Sequence, residues 1–226
     1  MKRDEVRARI EEIGVIPAVR VHSAEDALFA VEAIAQGGIP LAEIPLTVPD
    51  ATKIITQLRK ENPHMVVGAG GVIDEGAAQQ SLDAGAQFLT SDGLDLELLD
   101  FAVRHEVVVL PGALTPTEVI TAWKGSCDFV KVVPCAQIGG ESYIRSLHRM
   151  FPHFPLIAAG GVNQENAANF ILAGAVALGI GGELVPTEAI RRRQTERISE
   201  LARRFAGFVK SARIQAASRK QHVASS

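Results

Sequence analysis

The chain is poor in the features that mark specialised proteins. It carries two cysteines, Cys127 and Cys135, among 226 residues. They flank an extended stretch and stand too far apart along it to bond each other, so no disulfide framework holds this fold. Both read as reduced thiols of a cytoplasmic protein. Charge of one sign is also missing. The 23 Lys and Arg nearly balance the 26 Asp and Glu, for a net charge of -3. That leaves no basic excess to hold nucleic acid. Apolar runs are broken by Gly, Pro or charge before membrane-spanning length. Met1-Lys2-Arg3-Asp4-Glu5 leads into mixed charge, not an apolar signal core, so neither membrane insertion nor secretion is expected. No Cys and His cluster has metal-ligand spacing. Aromatic residues make up 5% of the chain, and Trp123, Phe129, Phe151 and Phe154 read as core or subunit contacts.

What is present is an alternation. A helix over about Arg3 to Glu12 precedes a strand at Gly14–Arg20. Strands then recur at Leu41–Leu46, Met65–Gly71, Ala86–Thr90, Val107–Gly112, Asp128–Pro134, Pro155–Gly161 and Ala175–Gly182. Each is followed by a helical pattern, with a period of about 20 to 25 residues. Ser23 followed by Asp26 marks one helix start, and Thr115-Pro116-Thr117-Glu118 is a capping box with proline at the first helical position. A basic helix is expected over Thr187 to Lys210, with a frayed tail from Ala216 to Ser226. The strands lack polar alternation, as when both faces are covered. No Gly-x-Gly-x-x-Gly follows the first strand, and polar residues and glycines gather at the strands' carboxyl ends. The predicted fold is therefore a single (β/α)8 TIM barrel with an extra N-terminal helix, one domain over 1–226, with the active site at the carboxyl ends of its strands.

The chemistry centres on Asp128-Phe129-Val130-Lys131-Val132-Val133-Pro134, a buried strand with one lysine inside it. An isolated buried ammonium is costly, which favours the neutral amine, a nucleophile for carbonyl carbon. The other reading is a lysine paired with a carboxylate or snorkelling to water. Glu43 sits inside the second strand and in a barrel faces the same cavity. It reads either as a proton shuttle for imine chemistry or as a rim carboxylate paired with Arg20. Arg20 ends the first strand and suits a substrate carboxylate. Gly70-Gly71, Gly160-Gly161 and Gly181-Gly182 open strand-end amides to an anion or simply make tight turns. The last two pairs follow strands seven and eight, where barrels often bind phosphate, but Glu183 stands directly after them.

In this order the motifs resemble the class I aldolases acting on 2-keto-3-deoxy-6-phosphogluconate and 4-hydroxy-2-oxoglutarate. The resemblance runs from Ile16 to about Val185. It is carried by Ile16-Pro17-Ala18-Val19-Arg20, Gly37-Gly38 with Glu43, Val67-Gly68-Ala69-Gly70, and Asp83-Ala84-Gly85-Ala86-Gln87-Phe88. Pro111-Gly112, Thr115–Glu118, Lys131-Val132-Val133-Pro134, Gly139-Gly140, Gly160-Gly161-Val162 and Gly181-Gly182 complete it. It implies a barrel, commonly a homotrimer, that works on a small 2-keto acid without metal or other cofactor. It implies Lys131 as Schiff-base lysine, Glu43 as general acid/base and Arg20 as substrate contact. Pro111 and Pro134 match loop prolines that shape the pocket. The implied reaction cleaves a 2-keto-3-deoxy or 4-hydroxy-2-keto acid to pyruvate and an aldehyde.

Four departures bear on substrate binding. Thr47 stands where the phosphogluconate enzymes have arginine, in Glu43-Ile44-Pro45-Leu46-Thr47-Val48. Gly71 and Ala159 replace threonines. Ser91-Asp92-Gly93 replaces Ser-Pro-Gly. Each hydrogen bond lost to a substrate carboxylate weakens binding by ~1.5–3 kcal/mol. Thr47, Gly71, Gly160, Gly161, Gly181 and Gly182 remain the expected substrate-binding set beside Arg20 and the two prolines. A different iminium reaction, such as decarboxylation or dehydration, and a non-catalytic barrel that binds organic acids are the alternatives.

Overall fold

The computed structural model describes the backbone of residues 1–224 and side chains as far as Arg219. Among the described residues the chain begins α1 (Arg3–Ile13), β1 (Val15–Pro17), α2 (Ala24–Gln36), β2 (Leu41–Pro45), α3 (Ala51–Glu61) and β3 (Val66–Gly70). It continues α4 (Glu75–Asp83), β4 (Phe88–Thr90), α5 (Leu96–Arg104), then β5 in two pieces, Val108–Leu110 and Gly112–Ala113, interrupted at Pro111. Next come α6 (Pro116–Lys124), β6 (Val130–Val132), a 3₁₀ turn at Ala136–Ile138, α7 (Gly140–Met150), β7 (Leu156–Ala159) and α8 (Ala167–Leu172). β8 (Ala177–Ile180), α9 (Thr187–Arg191) and α10 (Thr195–Ala224) end it.

All strand pairing is parallel. One sheet runs β1-β8-β7-β6 and the second piece of β5, and the other runs β2-β3-β4 and the first piece of β5. They are joined at the interrupted β5 and at a bridge between Ala18 and Glu43, where the Val19 N–H donates to the Glu43 carbonyl at 3.0 Å. The result is the expected (β/α)8 barrel, its strands almost wholly buried between helices outside and packed side chains within.

The helices start where the sequence places its caps. Ser23, Asp74 and Asp95 each accept a hydrogen bond from the backbone N–H three residues on. The Thr115–Glu118 capping box forms in full, with Pro116 opening α6. At the barrel's amino end, buried Asp128 accepts from Arg3 of α1 at 2.9 and 3.0 Å and from the Val109 N–H at 3.0 Å. This ties α1, β5 and the approach to β6 together and fixes where β6 starts.

Two expectations need correction. The predicted basic helix is two helices, broken at Arg193, which takes a left-handed backbone (φ 50°). Its guanidinium lies over the Phe29 ring and pairs with Glu25 and Asp26 of α2, contacts that hold the break in place. The tail from Ala216 is helical as far as Ala224, and Ser225 and Ser226 lie outside the described residues. Ala, Gln, Arg and Lys there are good helix formers, and α10 is latched one turn earlier. Arg213 donates to the carbonyls of Glu12 at 2.8 Å and Val176 at 2.7 Å.

Candidate active site

β6 places Lys131 between the second piece of β5 and β7, opposite Gly112 and Ile157. Its backbone N–H donates to the Pro111 carbonyl at 2.9 Å, so the lysine sits on a fixed strand. Val130 and Val132 on either side of it are fully buried, and the lysine itself is only 5% exposed. The ammonium is not isolated, and of the two sequence readings the carboxylate-paired lysine is the one that forms. Nζ donates to Asp92 Oδ1 at 2.8 Å and to the buried Thr90 hydroxyl at 3.4 Å.

Glu43 projects from β2 and is also 5% exposed. Its carboxylate fits because Gly70 on β3, two residues beyond its register partner Gly68, has no side chain. A Cβ at Gly70 would lie 2.2 Å from Glu43 Oε1 and 2.7 Å from Cδ. The anticipated Arg20–Glu43 ion pair does not form. Arg20 instead approaches Asp92 Oδ2 at 3.6 Å.

Asp92 therefore stands between the two cations. Its loop leaves β4, where the Ser91 N–H donates to the Leu110 carbonyl at 3.2 Å and the Gly112 N–H donates to the Gly93 carbonyl at 3.1 Å. Gly112 permits this close packing, since a Cβ there would meet the Asp92 carbonyl carbon at 2.3 Å. The Asp92 carboxylate is 53% exposed, while the lysine side chain it pairs with is 7% exposed. Burial pushes its carboxyl up, but the hydrogen bond and charge of Lys131, joined by Arg20, hold it below the ordinary carboxylate range.

Lys131, Glu43, Asp92 and Arg20 line one cavity of about 500 Å³ at the carboxyl end of the barrel, with Gly160, Gly161, Gly181, Gly182 and Glu183. The expected catalytic pair and five of the expected substrate contacts thus come together. Thr47 is exposed, and Gly71, Pro111 and Pro134 lie off the cavity lining. Pro111 acts through its carbonyl on Lys131, and Pro134 backs Gly160, whose added Cβ would lie 2.7 Å from Pro134 Cα. Sequence reasoning gives Asp92 no role. Its signal is a carboxylate directly after a buried strand, in a loop already singled out as unusual.

Such a site can form an imine. It offers an amine on a rigid strand, two carboxylates to move protons, and a cation for an organic acid. Among the described residues no three His, Cys, Asp or Glu side chains converge as a metal ligand set, and no helix is long and apolar enough to cross a membrane.

Comparison with known proteins agrees. The family described as "Aldolase: KDPG and KHG aldolase" matches residues 6–201. The 2-dehydro-3-deoxy-phosphogluconate aldolase of Pseudomonas aeruginosa is 31% identical over 199 residues, covering 86% of this chain and 90% of that protein. The KHG/KDPG aldolase of Escherichia coli K12 is 30% identical over 190 residues, covering 84% and 89%. The crystal structure of KDPG aldolase from Legionella pneumophila, with pyruvate captured as a covalent carbinolamine, superposes with a TM-score of 0.82 at 31% identity. That match covers 88% of this chain and 96% of the other.

Proposed function

The chain belongs to the KDPG and KHG aldolase family, and from that premise we propose how its own residues carry out the reaction. It is a Schiff-base aldolase, a carbon–carbon lyase that cleaves a 2-keto-3-deoxy or 4-hydroxy-2-keto acid to pyruvate and an aldehyde. Lys131 attacks the 2-keto carbon and forms the iminium. Glu43 takes the proton of the C4 hydroxyl as the C3–C4 bond breaks, and the iminium accepts the bonding electrons as an enamine. Protonation of the enamine at C3 and hydrolysis of the iminium then release pyruvate. Arg20 receives the substrate carboxylate, which its loose 3.6 Å contact with Asp92 leaves it free to do.

The observation that carries this reading is the convergence of Lys131 and Glu43, 88 positions apart in the sequence, on one cavity beside Arg20. Glu183 in the same lining disfavours a phosphate, so the substrate is unphosphorylated. No resident cofactor takes part, the lysine being the covalent carrier. The experiment is borohydride reduction with saturating pyruvate, followed by peptide mass mapping. One pyruvate-derived adduct on Lys131, absent in Lys131→Ala, is the expected result, and an unmodified wild-type Lys131 refutes the proposal.

The assembly is read as a homotrimer in the cytoplasm. Trp123, Phe154 and Phe151 stack in series at the surface beside half-exposed Met150, an apolar ledge suited to a subunit contact. A mass in solution near three times the 24.1 kDa of one chain supports this, and a monomer excludes it. Cell fractionation checks the compartment, where a secreted product would contradict it.

A further inference from the structure

We propose that Asp92 is the proton carrier at Lys131 Nζ during imine formation, leaving Glu43 the proton transfers of carbon–carbon cleavage. The inference rests on the aldolase reading above and divides its proton work between two carboxylates.

The geometry separates the two acids. Nζ donates to Asp92 Oδ1 at 2.8 Å and makes no hydrogen bond to Glu43. Asp92 is held for this contact. The Gly112 backbone packs directly on it, and the Ser91 hydroxyl closes the loop onto the Gly93 carbonyl. The two ends of the contact differ in wetness. The lysine is buried, while half of the carboxylate faces solvent and can exchange protons with it. Glu43 has the opposite setting, buried against Gly70. The charged groups facing Asp92 across the cavity are Lys131 from β6, Arg20 after β1, Glu43 from β2 and Glu183 after β8.

The steps balance. The Lys131 ammonium gives one proton to Asp92 and becomes a neutral amine. Its lone pair forms the N–C bond to the keto carbon, and the carbonyl π electrons move to oxygen, which takes that proton from Asp92. The nitrogen, now carrying two hydrogens and a positive charge, returns a proton to Asp92. The C–O bond then breaks, and the hydroxyl leaves as water with the Asp92 proton. The nitrogen lone pair closes the C=N bond. The iminium and the Asp92 carboxylate remain as an ion pair, the same charges that were there at the start. The substrate's carboxylate helps by drawing Arg20 away from Asp92. This removes one of the two cations that disfavour the protonated form of Asp92.

Two readouts on the purified protein test this. The first is the rate at which pyruvate forms a borohydride-trappable adduct, by rapid quench. The second is deuterium exchange into the pyruvate methyl group, by NMR. Asp92→Asn is expected to slow adduct formation by about 10²-fold. Glu43→Gln is expected to lose methyl exchange far more severely than adduct formation, the reverse of the order expected for Asp92→Asn. In Asp92→Ala the open half of the site admits formate, and added formate is expected to restore adduct formation in part. Melting curves confirm that each variant is folded. Adduct formation by Asp92→Asn at or above the wild-type rate overturns the assignment, as does a folded, slow Asp92→Ala that ignores formate. If the wild type forms no adduct, the aldolase reading itself fails, a result distinct from both.

Discussion

Replacing Gly70 with alanine separates the role of Glu43 from the stability of the barrel. The added methyl would sit 2.2 Å from Glu43 Oε1, where ordinary contact begins at 3.4 Å. The carboxylate must therefore retreat by roughly 1.2 Å, and such a displacement of a reacting group costs about 10²-fold in rate. The atoms that move are the far end of a flexible side chain, and the Gly70 backbone has no positive φ. The fold thus has little to give up, and the melting temperature is expected to stay close to wild type. Lys131 is on β6, away from Gly70 in the strand order, and keeps its contacts with Asp92 and Thr90. Gly70→Ala is thus expected to form the borohydride adduct with pyruvate normally while methyl deuterium exchange falls about 10²-fold. The reasoning is refuted if methyl exchange proceeds at the wild-type rate, or if the adduct is lost together with exchange in a folded protein.

Two further outcomes follow from the electrostatics. Burial pushes the thiols of Cys127 and Cys135 up to about 12, so iodoacetamide at pH 8 is expected to leave both unmodified in the folded protein and to label both in urea. The Asp92 carboxyl titrates below its ordinary 3.8 in the folded state, so the unfolded chain binds its proton more readily. Its stabilisation is complete above that value and is lost as pH falls through the folded one. The gap in urea midpoint between wild type and Asp92→Asn, worth under about 1 kcal/mol for a half-exposed pair, is therefore expected to close on acidification, and a gap that widens would contradict the pairing.

The architecture was legible because its signals are local. Eight apolar runs, the Ser23 and Thr115 caps, and Pro116 each act within a few residues, and each formed where its chemistry placed it. Lys131 and Glu43 were legible for a related reason, since a charge inside a buried strand leaves few places for it to go. Asp92 was not, because its role depends on three residues far away in the chain. These are Lys131 and Arg20, which it pairs with, and Gly112, whose bare backbone lets its loop close in. The break in the C-terminal helix was hidden likewise. Nothing local stops a helix at Arg193, and the partners that hold it are Glu25 and Asp26, more than 160 positions earlier. The helical run past Ala216 misled in the other direction. Small polar residues suggest a tail when read alone, yet they continue a helix that Arg213 has already docked.

The balance of charge in the cavity also limits what can enter it. Arg20 and Lys131 supply two cations against Asp92, Glu43 and Glu183. A keto acid brings one more carboxylate, which can be admitted only by sharing a cation that Asp92 already holds. The contact that yields is the longer one, Arg20 to Asp92 at 3.6 Å, and the 2.8 Å contact to Lys131 remains. On the proposed role of Asp92, substrate capture and priming of the lysine are then expected to be one event. The anion that takes Arg20 leaves Asp92 with a single cationic partner, whose proton it can accept. A second anionic group at the distal end of the substrate would find no further cation in this lining. It would face Glu183 beside Gly181 and Gly182, so if the proposed charge balance holds, phosphorylated keto acids are expected to turn over more slowly than their unphosphorylated counterparts, which paired kcat/KM measurements check.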